Sequence, residues 1–276
     1  MAENISREQY DKFCLFLEDH SGIVLGPSKQ YLVLSRLTPL VAEFHFKNLG
    51  ELLEKTQDNL QRTLRMRVID AMTTNETLWF RDNYPYQMLK TQLLPELVKE
   101  KPHNTIKIWS AASSSGQEPY SIAMTCFETG IPRLKTPGGV QIVGTDISPT
   151  MLSHCKAGVY DYIALNRGLS PERKRHFFTK VDDQNMVIND QIKRLVSFRH
   201  LNLLESYTGM GRFDIIFCRN VLIYFSPQVK SKIVNQMADC LNPRGYLFLG
   251  ASEAMTGLSE RFEMIRCNPG ITYRLL

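Results

Sequence analysis

Residues 106–121, IKIWSAASSSGQEPYS, admit few folds. Positions 106–112 alternate and end in small residues, the pattern of a buried strand, and Ser113, Ser114, Ser115 and Gly116 leave almost no side chain to hold a ligand off the backbone. Gln117, Glu118 and Pro119 then open a helix with apolar positions at Tyr120, Ile122, Ala123, Cys126 and Phe127, and Pro119 falls in the first turn, where a missing N–H is tolerated. A strand, a tight small-residue turn and a helix place such a turn at the carboxyl edge of an open α/β sheet, where nucleotide-like ligands bind. Taken alone, the stretch is equally an ordinary turn of any parallel sheet.

The rest of the chain supports a ligand-binding sheet. After this unit come the apolar strand 140–146, VQIVGTD, and a helix opened by Ser148-Pro149. Further strands are predicted at 196–204, 213–220, 246–251 and 271–276, with a helix over 229–241 and a turn at Asn242-Pro243-Arg244-Gly245. Strands alternating with helices predict a parallel, doubly wound sheet. Residues 177–196 break the alternation: they have strand character around Phe178 and Val187, a turn at 182–185 and no helical face. They read as a small antiparallel insertion, either a docking device or an inert excursion.

Upstream, residues 1–70 read as a small all-α domain, with Tyr10, Phe13 and Leu17, then Leu34, Leu37 and Val41, at helical spacing. Lys29, Arg36, Arg62, Arg65 and Arg67 form its candidate binding surface, the alternative being a solvated charged face. Residues 83–100 resume a helix that Pro95 bends or restarts. Between them, MTTNETLWFR (72–81) is polar, then aromatic at Trp79 and Phe80, then cationic at Arg81. It reads either as a segment folded over a ligand or as a linker with helix-capping chemistry.

Composition narrows the function classes. No apolar run reaches the roughly 20 residues that span a bilayer, and the N-terminus lacks a signal-peptide pattern, so a cytoplasmic protein without membrane insertion is expected. The six cysteines make no C-x-x-C pair and the six histidines do not cluster, so no metal is expected. A net charge of +5 falls short of the basic patches that would favour nucleic acid.

Dinucleotides usually need G-x-G-x-x-G at the first turn, and only Gly116 is present; a P-loop is absent. S-adenosylmethionine has no phosphate and needs a carboxylate for its ribose, polar groups for its methionine end and a flat slot for adenine. Asp146, at the end of its strand, suits the ribose hydroxyls, and Asn202-Leu203, ending a later strand, suits the adenine. Glu118 is either a ligand contact or a helix-dipole carboxylate. Arg219 and Asn220 fall at the cleft edge, followed by Tyr224, which could instead be a core aromatic.

Five motifs in order, TTNETLWFR, WSAASSSGQEPYSIA, GTDIS, LNLL and FCRNVLIYF, resemble the CheR family of chemotaxis receptor glutamate O-methyltransferases. The resemblance implies an α/β fold: a Rossmann-like S-adenosylmethionine methyltransferase domain with a small inserted antiparallel β-subdomain, preceded by the all-α domain. The expected division is 1–70, a cofactor-contacting linker at 71–90, and a catalytic domain at 91–276 with its insertion at about 177–196. By position the resemblance implies cofactor contacts at Asn75, Thr77, Arg81, Glu118, Asp146, Asn202, Leu203, Arg219 and Asn220, with Arg81 and Tyr224 nearest the transferred methyl.

The implied reaction carries a methyl to glutamate carboxylates on the cytoplasmic helices of methyl-accepting chemoreceptors, with S-adenosylhomocysteine as product; the sequence does not encode an oligomeric state, and a monomer is the default expectation. A non-catalytic cofactor-binding adaptor, or a methyltransferase for another substrate, is the rival reading. Family members that bind a receptor's C-terminal pentapeptide carry a longer, glycine-containing hairpin loop. VDDQNM at 181–186 is short and lacks glycine, so methylation without that tether is expected. The family's basic second helix is also thinner here, since Arg36 precedes the mainly apolar LTPLVAEF.

Overall fold

The computed structural model describes residues 5–267 and 270–276; residues 1–4, the start of the expected helical domain and of the N-terminus read for a signal peptide, lie outside it. Helix α1 (Arg7–Ser21) begins in a capping box, in which the Ser6 hydroxyl accepts from the Gln9 N–H and Gln9 Oε1 accepts from the Ser6 N–H. With α2 (Gln30–Glu43), α3 (Leu49–Thr56) and α4 (Arg62–Met72) it encloses a core of Tyr10, Phe13, Leu17, Leu37, Leu52 and Val68.

Much of the expected cationic surface is engaged internally. Arg36 donates to the Met72 and Thr73 carbonyls at 2.7 and 3.0 Å and to the Thr74 hydroxyl at 3.0 Å. It satisfies carbonyls that the end of α4 leaves without partners and pins the segment that follows. Arg67 pairs with Glu43 at 2.8 Å, and Arg65 lies over the Phe16 ring. Beyond the connecting segment, α5 (Tyr84–Met88) passes through a π-helical turn into α6 (Leu94–Glu100), where Pro95 sits in the first turn and restarts the helix.

The central sheet contains β1 (Ile106–Ala111), β2 (Val140–Asp146), β6 (Val196–His200), β7 (Phe213–Cys218), β8 (Leu241–Leu249), β9 (Phe262–Cys267) and β10 (Gly270–Leu275) in the order β6-β2-β1-β7-β8-β10-β9. The first five run parallel, but β10 is antiparallel to both neighbours, so the sheet is mixed where a parallel one was expected. Helix α7 (Gln117–Glu128) covers one face and α12 (Pro227–Cys240) the other. Ile215 and Phe217 of β7 accordingly point into the first core, and Phe213 and Ile216 into the second.

Register corrects two expectations. Strand β6 stops at His200 because its partner β2 ends at Asp146, so Asn202 and Leu203 lie beyond the strand. The predicted turn at 242–245 lies within β8 as a bulge: Phe213 pairs with Leu241 and Ile215 with Tyr246, leaving the intervening residues to loop out around Arg244 at φ 63°.

The insertion is larger than the predicted hairpin. Strands β3 (Val159–Asp161), β4 (Phe178–Lys180) and β5 (Asn185–Ile188) form a sheet in the order β3-β5-β4. One helical turn, α11 (Asp190–Lys193), occupies a stretch read as having no helical face. Helices α9 (Tyr162–Asn166) and α10 (Pro171–Phe177) complete this region, whereas α8 (Pro149–Ala157), the helix expected after Ser148-Pro149, packs on β2 and β6 of the central sheet. Among the described residues no helix is long and apolar enough to cross a membrane.

Candidate active site

The carboxyl ends of β1, β2 and β7, the segment after α4 and the loop after α1 surround one cavity. Asn75, Thr77, Arg81, Glu118, Asp146, Asn202, Leu203, Arg219, Asn220 and Tyr224 all line it. The turn after β1 makes this convergence possible. Ala112 and Ser114 adopt φ 55° and 50°, and Gly116, at 95°, begins α7. The Ser114 hydroxyl donates to the Asn75 carbonyl at 2.9 Å, which ties the connecting segment to the turn.

Asp146 is 5% exposed. Its Oδ2 accepts from the Ser114 N–H at 2.7 Å and its Oδ1 from the Ser148 N–H at 2.9 Å. Burial pushes the carboxyl up to about 6; these N–H groups oppose the shift and the nearby Asp70 carboxylate adds to it.

Glu118 accepts from the Ser110 hydroxyl at 2.8 Å and from Arg219 at 3.1 Å. Burial pushes its carboxyl up, against the attraction of Arg219. The Arg219 side chain is 1% exposed. Burial works to lower its pKa, but the Glu118 and Asp82 carboxylates outweigh it and hold the guanidinium charged. Its terminal nitrogens are committed to the protein: besides Glu118 they meet the Arg81 carbonyl at 3.0 Å and the Asp82 carboxylate at 2.5 Å. Among the described residues none accepts a hydrogen bond from the Arg81 guanidinium, so Arg81 is the free cation of the cavity wall.

Asn220 adopts φ 58° and donates its N–H to Glu253 at 2.7 Å, while its buried Oδ1 has no protein partner. Asn202 donates to the His20 carbonyl at 2.7 Å and accepts from the Leu204 N–H at 3.0 Å, joining the end of α1 to the loop after β6. Tyr224 lies in a single 3-10 turn, and its carbonyl accepts from the Val24 N–H at 2.9 Å.

Trp79 and Phe80 do not cover the cavity. Trp79 is fully buried, donates to the Ala164 carbonyl at 3.1 Å and meets Tyr160 and Phe178 edge-on, anchoring the β-subdomain. Phe80 lies beneath the Arg173 guanidinium. The burial that removes them from solvent therefore comes from the protein core rather than from a ligand. Ser21 and Ile23 also line the cavity and were not foreseen, because nothing in residues 1–70 marks the α1–α2 loop as reaching the sheet. Among the described residues no group of His, Cys, Asp and Glu side chains could hold a metal.

Two family models cover almost the whole chain: a CheR methyltransferase all-alpha domain matches residues 8–73, and a CheR methyltransferase SAM-binding domain matches residues 75–271. The chain belongs to the CheR methyltransferase family. It is 59% identical to chemotaxis protein methyltransferase 1 of Vibrio cholerae, over 99% of both chains. It is also 50% identical to chemotaxis protein methyltransferase Cher2 of Pseudomonas putida, over 96% of this chain and 97% of that one. A chemotaxis protein methyltransferase of Salmonella typhimurium is 30% identical, over 94% and 88%.

This CheR-family chain is therefore a chemotaxis methyltransferase that uses S-adenosylmethionine. The cavity fits that cofactor. It offers a buried strand-end carboxylate, an unpartnered acceptor at Asn220 Oδ1, and the small residues Ala112, Ser113 and Ser114 where larger side chains would fill the space.

Proposed function

We propose that this enzyme esterifies glutamate side chains on the cytoplasmic helices of chemoreceptors. The observation that carries the reading is the free guanidinium of Arg81 in the wall of a cavity whose other cation, Arg219, is already neutralised. Arginine's planar fork suits a substrate carboxylate, gripping one edge while an oxygen stays open to react. A glutamate of ordinary pKa ~4.3 is ionised at neutral pH, so no general base is needed. Bound S-adenosylmethionine supplies an electrophilic methyl on a sulfonium. The side chains supply alignment: Asp146 for the ribose hydroxyls, Asn202 and Leu203 for the adenine, and Asn75, Thr77, Glu118, Arg219 and Asn220 for the remaining contacts. Arg81 orients the acceptor and Tyr224 shapes the channel. Positioning of this kind is worth several kcal/mol of barrier.

In this reading residues 1–70 face the receptor, 71–90 contact the cofactor and 91–276 hold the chemistry, in a cytoplasmic monomer. The enzyme works without a pentapeptide tether. Support comes from the β4–β5 loop, in which the Asp182 carboxylate accepts from the Gln184 and Asn185 N–H groups at 2.8 Å each and closes a short turn without glycine. The test is transfer of labelled methyl to membranes bearing chemoreceptors, with and without the receptors' extreme C-terminus. Base-labile label on receptor glutamate that survives truncation is expected. Cofactor binding with no label on any receptor would favour an adaptor or another substrate.

A further inference from the structure

We infer that Asp82 is a positioning residue for Arg81, acting through Arg219; the inference rests on the role given to Arg81 above. Residues 80–83 form a turn in which Phe80, Asp82 and Asn83 adopt φ 50°, 65° and 52°. None is glycine, and such conformations persist only where the surroundings over-determine them. Here the surroundings act from both sides. On one, the Phe80 N–H donates to the Ser121 hydroxyl at 3.1 Å and its ring is held under Arg173. On the other, one terminal nitrogen of Arg219 bridges the Arg81 carbonyl at 3.0 Å and the Asp82 carboxylate at 2.5 Å, while the second meets Glu118 at 3.1 Å.

A buried guanidinium requires compensating charge and hydrogen bonds. Glu118 supplies one partner from α7, and Asp82 supplies the other from the turn itself. The Asp82–Arg219 pair therefore fixes the peptide from which the Arg81 side chain departs. Asp82 does not itself line the cavity, and its side chain is 32% exposed.

The test compares Asp82→Ala, the near-isosteric Asp82→Asn and Asp82→Glu in the full chain. It reads kcat and KM on receptor, S-adenosylhomocysteine affinity by calorimetry, and amide hydrogen exchange of the ligand-free protein at residues 83 and 84. Those amides donate to the Phe80 and Asp82 carbonyls within the turn.

In Asp82→Ala, kcat is expected to fall about 10- to 100-fold, the scale of a small misplacement of a reacting group. Product affinity should change less than about threefold, marking a loss confined to the reacting geometry. Exchange at 83 and 84 should quicken. Asp82→Asn should fall between wild type and Asp82→Ala, and Asp82→Glu should recover part of kcat. Unchanged kcat, unchanged exchange, or a kcat loss matched by the same loss of product affinity would overturn the inference. Arg81→Ala, assayed alongside, separates the two readings. If it loses turnover while the Asp82 variants do not, only the positioning role fails; if it keeps full turnover, the role given to Arg81 fails and the inference with it.

Discussion

The Asp70 carboxylate accepts from the Thr150 hydroxyl at 2.5 Å and also from the Ser148 hydroxyl, so the last turn of α4 is fastened to the first turn of α8. Ser148 is the N-cap of α8, and its own N–H donates to Asp146. A negative charge beside a helix N-terminus is favourable, and here it also joins the helical layer to the carboxylate assigned to the ribose. Asp70→Ala should cost about 1–3 kcal/mol, the range for partly buried polar groups that lose a charged partner. Urea denaturation of the full chain measures it, and a loss within error of zero would show that the latch is idle.

Binding of cofactor or product should weaken in mild acid. Asp146 has its carboxyl raised to about 6 in the ligand-free protein. For folding, a raised carboxyl contributes stability that is complete below its unfolded value near ~3.9 and is lost as pH rises through about 6, a term of order 3 kcal/mol. For binding the sign is opposite, because ribose hydroxyls need an ionised acceptor. Affinity for S-adenosylhomocysteine should be flat above about 6 and fall by roughly tenfold per pH unit below it, one proton being displaced. Calorimetry across pH 4.5 to 8 reads this directly, and Asp146→Asn should flatten the profile at a weaker level.

Much of the cavity's sheet side could be read from the chain, because strand ends and helix starts carry local signals. Alternation over 106–112, the terminal acid of VQIVGTD and Ser148-Pro149 each mark a boundary that the structure keeps within a residue or so. What could not be read depends on distant partners. The end of β6 is set by the end of β2, across more than fifty residues of sequence, and no local pattern marks it. Strand β3 is three residues long and exists only because β5 pairs with it. Chemistry alone left Trp79 between a ligand-covering segment and a plain linker, and Arg36 between a binding surface and a solvated face. One is buried against Tyr160 and Phe178, and the other satisfies the end of α4.

Gly22 sets how closely the end of α1 approaches the SAM-binding domain. It adopts φ 77°, and a Cβ there would lie 2.7 Å from Cδ1 of Phe225 and 3.0 Å from Leu204. Two residues on, Val24 donates to the Tyr224 carbonyl. Gly22→Ala should therefore strain the left-handed cap by about 1–2 kcal/mol and also push the α1–α2 loop off the cavity wall. The expected outcome is a lower Tm together with weaker product binding. A Tm loss with affinity unchanged would mean that the loop does not support the site.

Glu253 should tolerate glutamine but not alanine. Its Oε2 accepts from the Asn220 and Gly250 N–H groups at 2.7 Å each, and its Oε1 from the Ile223 N–H at the longer distance of 3.3 Å. The carboxylate thus holds the end of β8 against the loop that carries Asn220 and Tyr224. Glutamine can place its carbonyl oxygen at the Oε2 position and keep both short bonds, giving up only the long one. Glu253→Gln should cost under about 1 kcal/mol, whereas Glu253→Ala leaves the amides without a partner and should cost about 3 kcal/mol or more. Because the affected loop lines the cavity, Glu253→Ala should also lose turnover beyond its loss of folded protein, measured as kcat per native molecule after a denaturation curve has fixed the folded fraction. Equal losses in the two variants would indicate that the negative charge, rather than the bonds to Asn220 and Gly250, is what the loop requires.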